Sequence, residues 1–147
     1  MISIQNASKK HMNAILELLV ELGRPAPANK SEKIRFEKMI VAYISNKDKM
    51  LLVARENSKI VGLVSIVLMD RLNQVGKEMY IPELIVSSKY RGRGVGRKLV
   101  NQCVKIAKSN NCFRIRLESG YARTSSHKFY KKLGFEDYAL TFKKILG

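Results

Sequence analysis

Cysteine, proline and tryptophan are scarce: 147 residues hold two cysteines, three prolines and no tryptophan. Cys103 and Cys112 form no Cys-x-x-Cys pair and no Cys/His cluster, so neither a disulfide framework nor a zinc site is expected, and no metal is assigned. Reduced thiols of a cytoplasmic protein are the default. The longest apolar run, residues 60–69, is broken by Gly62 and Ser65 and falls well short of the roughly 20 residues a bilayer requires. The first residues lack a basic stretch followed by an apolar one, so no secretory leader is expected. Cytoplasmic localisation without a membrane partner follows as the expectation. The apolar share of 46% and charged share of 27% are those of a folded chain able to bury a core.

Acids are scarce in one place. Twenty-eight Lys and Arg oppose twelve Asp and Glu, for a net charge of +16. Residues 1–83 hold thirteen bases and nine acids, residues 84–135 thirteen bases and the single acid Glu118, and residues 136–147 two of each. Such a segment attracts polyanions. Nucleic acid, an anionic membrane surface, a phosphorylated cofactor and a plainly solvated basic surface all satisfy the charge alone. Aromatics at 7%, with only Tyr90 and Phe113 between residues 84 and 117, argue against a base-stacking nucleic-acid module.

Periodicity outlines the elements. Ile2 and Ile4 alternate with polar residues as a short strand. Apolar positions 12, 15, 16, 19 and 22 follow the helical period, with Asn6 or Ser8 as N-cap and Gly23 as the stop. The loop Arg24-Pro25-Ala26-Pro27 precedes a second helix from Ser31. Residues 50–55 and 60–69 read as a hairpin, and 78–86 as a third strand. A long helix follows to about Lys108, then a strand around Ile115 and Leu117, a short helix from Thr124 to Leu133, and a closing strand over 138–145. Mixed elements without a linker or repeat predict one α/β (α+β) domain over residues 1–147, a mostly antiparallel sheet with helices on both faces.

The glycine loop carries the chemistry. Arg91-Gly92-Arg93-Gly94-Val95-Gly96 lies between a strand and a helix. Glycine at every second position costs chain entropy unless the backbone must approach something closely. Unbonded N–H groups and the dipole at a helix start favour an anion, and Arg91, Arg93, Arg97 and Lys98 add cations. A dinucleotide fingerprint starting at Gly92 needs glycine where Arg97 stands, and a P-loop fails because Leu99 follows Lys98. The expected ligand is a phosphate group, and more than one.

These residues resemble a known family. The stretch Glu83-Leu84-Ile85-Val86 with Arg91, Gly94 and Gly96 is similar to the acetyl-CoA-binding motif of the GNAT N-acetyltransferase superfamily. Phe129-Tyr130-Lys131-Lys132-Leu133-Gly134-Phe135 resembles the FYxxxGF element of the family's later helix, and the order of elements agrees along the whole chain. The resemblance implies acetyl-CoA as acyl donor and an amine, small molecule or peptide, as acceptor. It implies that backbone groups of Leu84, Ile85 and Val86 hold the pantetheine arm, with an oxyanion donor at or beside Leu84. Backbone amides of Arg91, Gly92, Arg93, Gly94, Val95, Gly96 and Arg97 would hold the pyrophosphate. Tyr130 would protonate the departing thiolate, and Glu83, or a water it orders, would take the ammonium proton. Pro82 suggests an irregularity in this strand, and the resemblance implies a bulge there.

Other residues carry competing readings. Glu118 is either an acceptor contact or a salt bridge, and His127 and His11 read as surface histidines. Arg123 and Ser126 depart from the residues that many members carry before the FY pair, which weakens assignment to the subgroup acting on protein N-termini. A homodimer is common in the family and is left open here. The rival readings are a small basic nucleic-acid-binding domain and a coenzyme A sensor without turnover.

Overall fold

The computed structural model describes residues 1–147, which form two compact units, Met1–Arg116 and Leu117–Gly147. The first contains β1 (Ile2–Asn6), α1 (Met12–Glu21), α2 (Lys30–Ser45), β2 (Lys49–Glu56), β3 (Lys59–Asp70), β4 (Lys77–Ile81), β5 (Leu84–Val86), α3 (Val95–Ser109) and most of β6 (Cys112–Leu117). The second contains α4 (Thr124–Lys132). The sheet runs β1-β2-β3-β4-β6, with β5 also paired to β3, and the β1–β2, β2–β3, β3–β4 and β3–β5 ladders are antiparallel. The expected α/β class and antiparallel sheet are therefore present. No helix is long and apolar enough to cross a membrane.

Helices cover both faces of the sheet. Leu63 and Ile85 join Leu51 and Val53 in one apolar cluster with Ile15, Leu18 and Leu22 of the α1 stretch and Ile40 of α2. Neighbouring strand residues point to the opposite face, where α3 packs. A Cβ built on Gly62 would lie 3.2 Å from Leu99 Cδ1 and from Val95 Cγ1. That glycine sets how closely the start of α3 approaches β3.

Two expectations change. His11 is buried: its Nδ1 accepts from the Ser8 amide at 3.1 Å, closing the short turn that leads into α1. Burial, with Lys10 and Arg55 nearby, holds its pKa below the ordinary value. The closing strand over 138–145 does not form, and Leu140, Phe142 and Ile145 are exposed. Alternating side chains make a segment suited to a strand, but a strand exists only through the ladder it joins, and the sheet assigns this segment no partner.

Candidate active site

The strand expected over 78–86 is broken at Pro82. β4 pairs Tyr80 with Val67, and β5 pairs Leu84 with Val64. Between those pairs two residues of β3 face three of the other chain, Ile81, Pro82 and Glu83. This is a one-residue bulge at the place where proline has no N–H to give to a ladder. The Ser65 side chain fills it. Its Oγ accepts from the Glu83 amide at 2.8 Å and donates to Glu83 Oε1 at 2.6 Å, while the Ser65 amide donates to the Glu83 carbonyl at 2.9 Å.

Glu83 is held from a second direction. Arg24, in the loop after α1, donates through Nη2 to Glu83 Oε2 at 3.0 Å and to the Pro82 carbonyl at 3.1 Å. Beside Ser65, the Tyr43 hydroxyl of α2 donates to the Ile66 carbonyl at 3.2 Å. Burial pushes this phenol up to about 12, so it stays protonated at neutral pH. Neither Arg24, Ser65 nor Tyr43 carries a signal in the linear sequence. Arg24 lies in a proline-rich loop and Ser65 inside an apolar strand, and only folding brings them to Glu83.

The bulge also orients β5. The Ser65 amide bonds to Glu83 and the Ser87 amide to Val61 at 2.8 Å. By the alternation of an antiparallel ladder, Ile85 faces β3, whereas the N–H and C=O of Leu84 and Val86 face the opposite edge. No strand of the sheet pairs with that edge. Of Leu84, Ile85 and Val86, the first and last present their backbone groups to the open edge. The Val86 carbonyl accepts from Arg91 Nε at 3.1 Å, which ties the strand to the glycine loop.

In that loop Gly92 and Gly94 adopt φ of +77° and +80°, and Gly94 is the N-cap of α3. The first bond of the helix runs from the Lys98 amide to the Gly94 carbonyl at 3.1 Å. The amides of Val95, Gly96 and Arg97 therefore have no partner within the helix and converge at its positive end. Gly96 lies in the first turn without a left-handed angle, so only two of the three glycines answer a backbone requirement. The cations divide. Arg93 lies 5.1 Å above the Tyr90 ring and 3.6 Å from Glu56 Oε2. Lys98 donates to the Ile2 carbonyl of β1 at 3.4 Å and is spent there.

In the second unit, the geometry of α4 explains the Phe-Tyr…Gly-Phe spacing. Gly134 adopts φ of +92° after the last helical residues. The Phe135 amide donates to the Tyr130 carbonyl at 3.0 Å and the Gly134 amide to the Lys131 carbonyl at 3.1 Å. This is a Schellman cap, and it folds the residue after the glycine back onto the helix. The Phe135 ring meets Tyr130 edge-on with centroids 5.6 Å apart, and Phe129 meets it at 5.2 Å. Tyr130 is thus clasped by two rings. His127 lies in the same unit, with Nε2 2.8 Å from the Gly120 carbonyl.

The thiols are not poised to react. Burial in α3 pushes Cys103 up to about 12 and also raises Cys112.

The sequence model of the acetyltransferase (GNAT) family matches residues 12–135, across both units. The chain belongs to this family. Among its GNAT relatives, an uncharacterized N-acetyltransferase of Methanocaldococcus jannaschii is 28% identical over 137 residues, covering 92% of this chain and 61% of that protein. The glucosamine 6-phosphate N-acetyltransferase of Trypanosoma brucei brucei is 32% identical over 78 residues, covering 52% of this chain and 51% of that protein. The chain thus spans between half and two thirds of the length of these relatives. The crystal structure of a transcriptional regulator from Bacillus halodurans C-125 superposes with a TM-score of 0.90 at 21% identity, covering 99% of this chain and 100% of that one. That likeness shows that the two chains share one fold.

Proposed function

We propose that this chain transfers the acetyl group of acetyl-CoA to a primary amine by direct attack in a ternary complex. The observation that carries the reading is the edge of β5, where the backbone groups of Leu84 and Val86 face away from the ladder and lead into the Gly94-capped start of α3. Unbonded amides require acceptors. Coenzyme A offers amide groups along its arm and a diphosphate at the end, with roughly four negative charges in all. The pantetheine arm runs along Leu84 and Val86, and the pyrophosphate is held by the amides of residues 91–97, with Arg91, Arg93 and Arg97 lending charge.

The amine nitrogen attacks the thioester carbonyl, and the resulting oxyanion is stabilised by the Leu84 amide. The C–S bond then breaks. Tyr130 gives its phenolic proton to the departing thiolate; a free phenol and a free thiol both titrate above neutrality, which suits a proton donor to developing charge on sulfur. Before the attack Glu83, directly or through an ordered water, takes a proton from the bound ammonium and frees the nitrogen lone pair; the second proton that the nitrogen loses as the amide forms restores the Tyr130 phenol. Ser65 and Arg24 keep its carboxylate in one orientation. Rate arises chiefly from holding amine and thioester together and from the preorganised oxyanion donor.

The test is thiol release from acetyl-CoA across a panel of small amines and peptides, alongside thermal stabilisation by coenzyme A. Turnover with at least one amine, together with stabilisation that Gly94→Val removes, supports the reading. Silence across the panel with no stabilisation overturns it. Stabilisation without turnover, in a protein indifferent to Tyr130→Phe, would mark a sensor instead.

A further inference from the structure

A second polar cluster lies further along the sheet face that carries Ser65 and Glu83. Glu78 of β4 is opposite Met69 of β3 and is fully buried. Its carboxylate accepts from Arg71 Nη1 at 2.6 Å, from Arg116 Nε at 3.0 Å and from Arg114 Nε. The Arg116 guanidinium stands 4.6 Å over the ring of Tyr80, the residue opposite Val67. Strand alternation places residues 65, 67 and 69 of β3 on one face together with Glu78 and Tyr80. That is the face of Leu63 and of the α1 and α2 helices. Met69 lies four positions beyond Ser65, so the arginine cluster lies about 13 Å along the strand from the Glu83 carboxylate, with Tyr80 between them.

Three arginines converge on this one carboxylate, and their side chains keep between 24% and 38% of their exposure. Arg71 is the most exposed and stands just past the end of β3. It spends one terminal nitrogen on Glu78 and presents a planar fork suited to an oxyanion.

Building on the acetyl-transfer reading, we propose that the arginine cluster, with Arg71 foremost, receives an anionic group of the acceptor. The acceptor is then a small primary amine carrying a carboxylate or phosphoryl group within about 13 Å of its nitrogen. The amine end lies at Glu83, the chain of the molecule passes Tyr80, and the acidic end pairs with Arg71.

The experiment compares ω-amino acids of two to five methylenes and O-phosphorylated amino alcohols with alkylamines of equal length. Initial rates of thiol release are measured for the full chain, for Arg71→Gln and for Arg71→Lys. The expected result is a kcat/KM at least tenfold higher for the anionic amines, carried mainly by KM. That preference should be lost in Arg71→Gln, partly restored in Arg71→Lys and reduced by added salt. The carboxylate and phosphoryl arms show which oxyanion fits better. Equal rates for charged and neutral amines overturn the inference while leaving acetyl transfer standing, as does an unchanged preference in Arg71→Gln. If no amine is acetylated, calorimetric titration with the N-acetyl ω-amino acids decides separately. Binding weakened at least fivefold in Arg71→Gln upholds the anionic subsite, and no binding overturns it. Unchanged helical circular dichroism in Arg71→Gln shows that the variant is folded.

Discussion

Arg24 and Glu83 are 59 positions apart in the chain and meet at 3.0 Å. The same guanidinium nitrogen reaches the Pro82 carbonyl, so the loop between α1 and α2 clamps two of the three bulge residues. Since the pair is partly exposed, with side chains 45% and 24% accessible, its worth to stability is small, under about 1 kcal/mol. Its consequence is positional. Arg24→Ala is expected to leave the melting temperature within a few degrees while lowering kcat/KM for the amine by about tenfold, the cost of a loosened catalytic group. Steady-state kinetics with each substrate varied checks this; unchanged kinetics would remove Arg24 from the site.

Ser65 is nearly fully buried and serves the Glu83 amide and carboxylate at once. Ser65→Ala strands the amide donor, an expected loss of about 1–3 kcal/mol in denaturant unfolding. It also removes one of the two tethers on the Glu83 carboxylate, so kcat/KM for the amine should fall about tenfold. Ser65→Thr, which keeps the hydroxyl, should recover part of that rate.

Tyr130 owes its setting to the cap at Gly134. Gly134→Val imposes a left-handed backbone on a β-branched residue, at a cost of about 1–2 kcal/mol, and releases Phe135 from the Tyr130 ring. The expected outcome is reduced kcat with coenzyme A affinity preserved. Tyr130→Phe keeps both ring contacts and removes the phenolic hydroxyl, and is expected to lower kcat by roughly 10²–10⁴-fold. Coenzyme A binding measured in parallel separates these effects from misfolding.

Gly62 tests the close approach of α3 to the sheet. A Cβ there would meet not only two side chains but the Ile85 carbonyl at 3.3 Å, and backbone cannot yield as a side chain does. Gly62→Ala is expected to cost about 1–3 kcal/mol, read by denaturant unfolding.

Two groups tie stability to acid. His11 has a folded pKa below its unfolded value near 6.5. The unfolded chain therefore binds the proton first, and stability present above that pH declines as pH falls below it. At Glu78 burial favours the neutral acid, but hydrogen bonds from Arg114, Arg116 and Arg71 outweigh it and lower the pKa. Its contribution is complete above the ordinary glutamate value of about 4.3 and is lost as pH falls through the lower folded value. Unfolding free energy measured against pH should fall in two stages. His11→Gln should flatten the first stage alone. Glu78→Gln leaves three guanidiniums around a neutral group and is expected to cost about 3–5 kcal/mol at neutral pH.

What the sequence determined by itself was local. The 3.6-residue period placed α1, α2 and α3, and alternation placed the β2–β3 hairpin. Pro82 announced an irregularity in the third strand because a missing N–H is a property of the residue; that it is a one-residue bulge is read from the β3 register. The glycine loop stood out by its spacing and Gly134 as a helix stop, while the left-handed angles of Gly92, Gly94 and Gly134 come from the folded backbone. The segment over 138–145 shows where local reasoning stops, since alternation creates a strand former and only a neighbouring chain edge makes the strand. Tertiary structure decided which residues surround Glu83, that His11 turns inward, and that Arg71, Arg114 and Arg116 gather on one carboxylate. Those contacts join positions tens of residues apart. Their energy depends on distance and burial in space, and neither quantity is encoded in the spacing of residues along the chain.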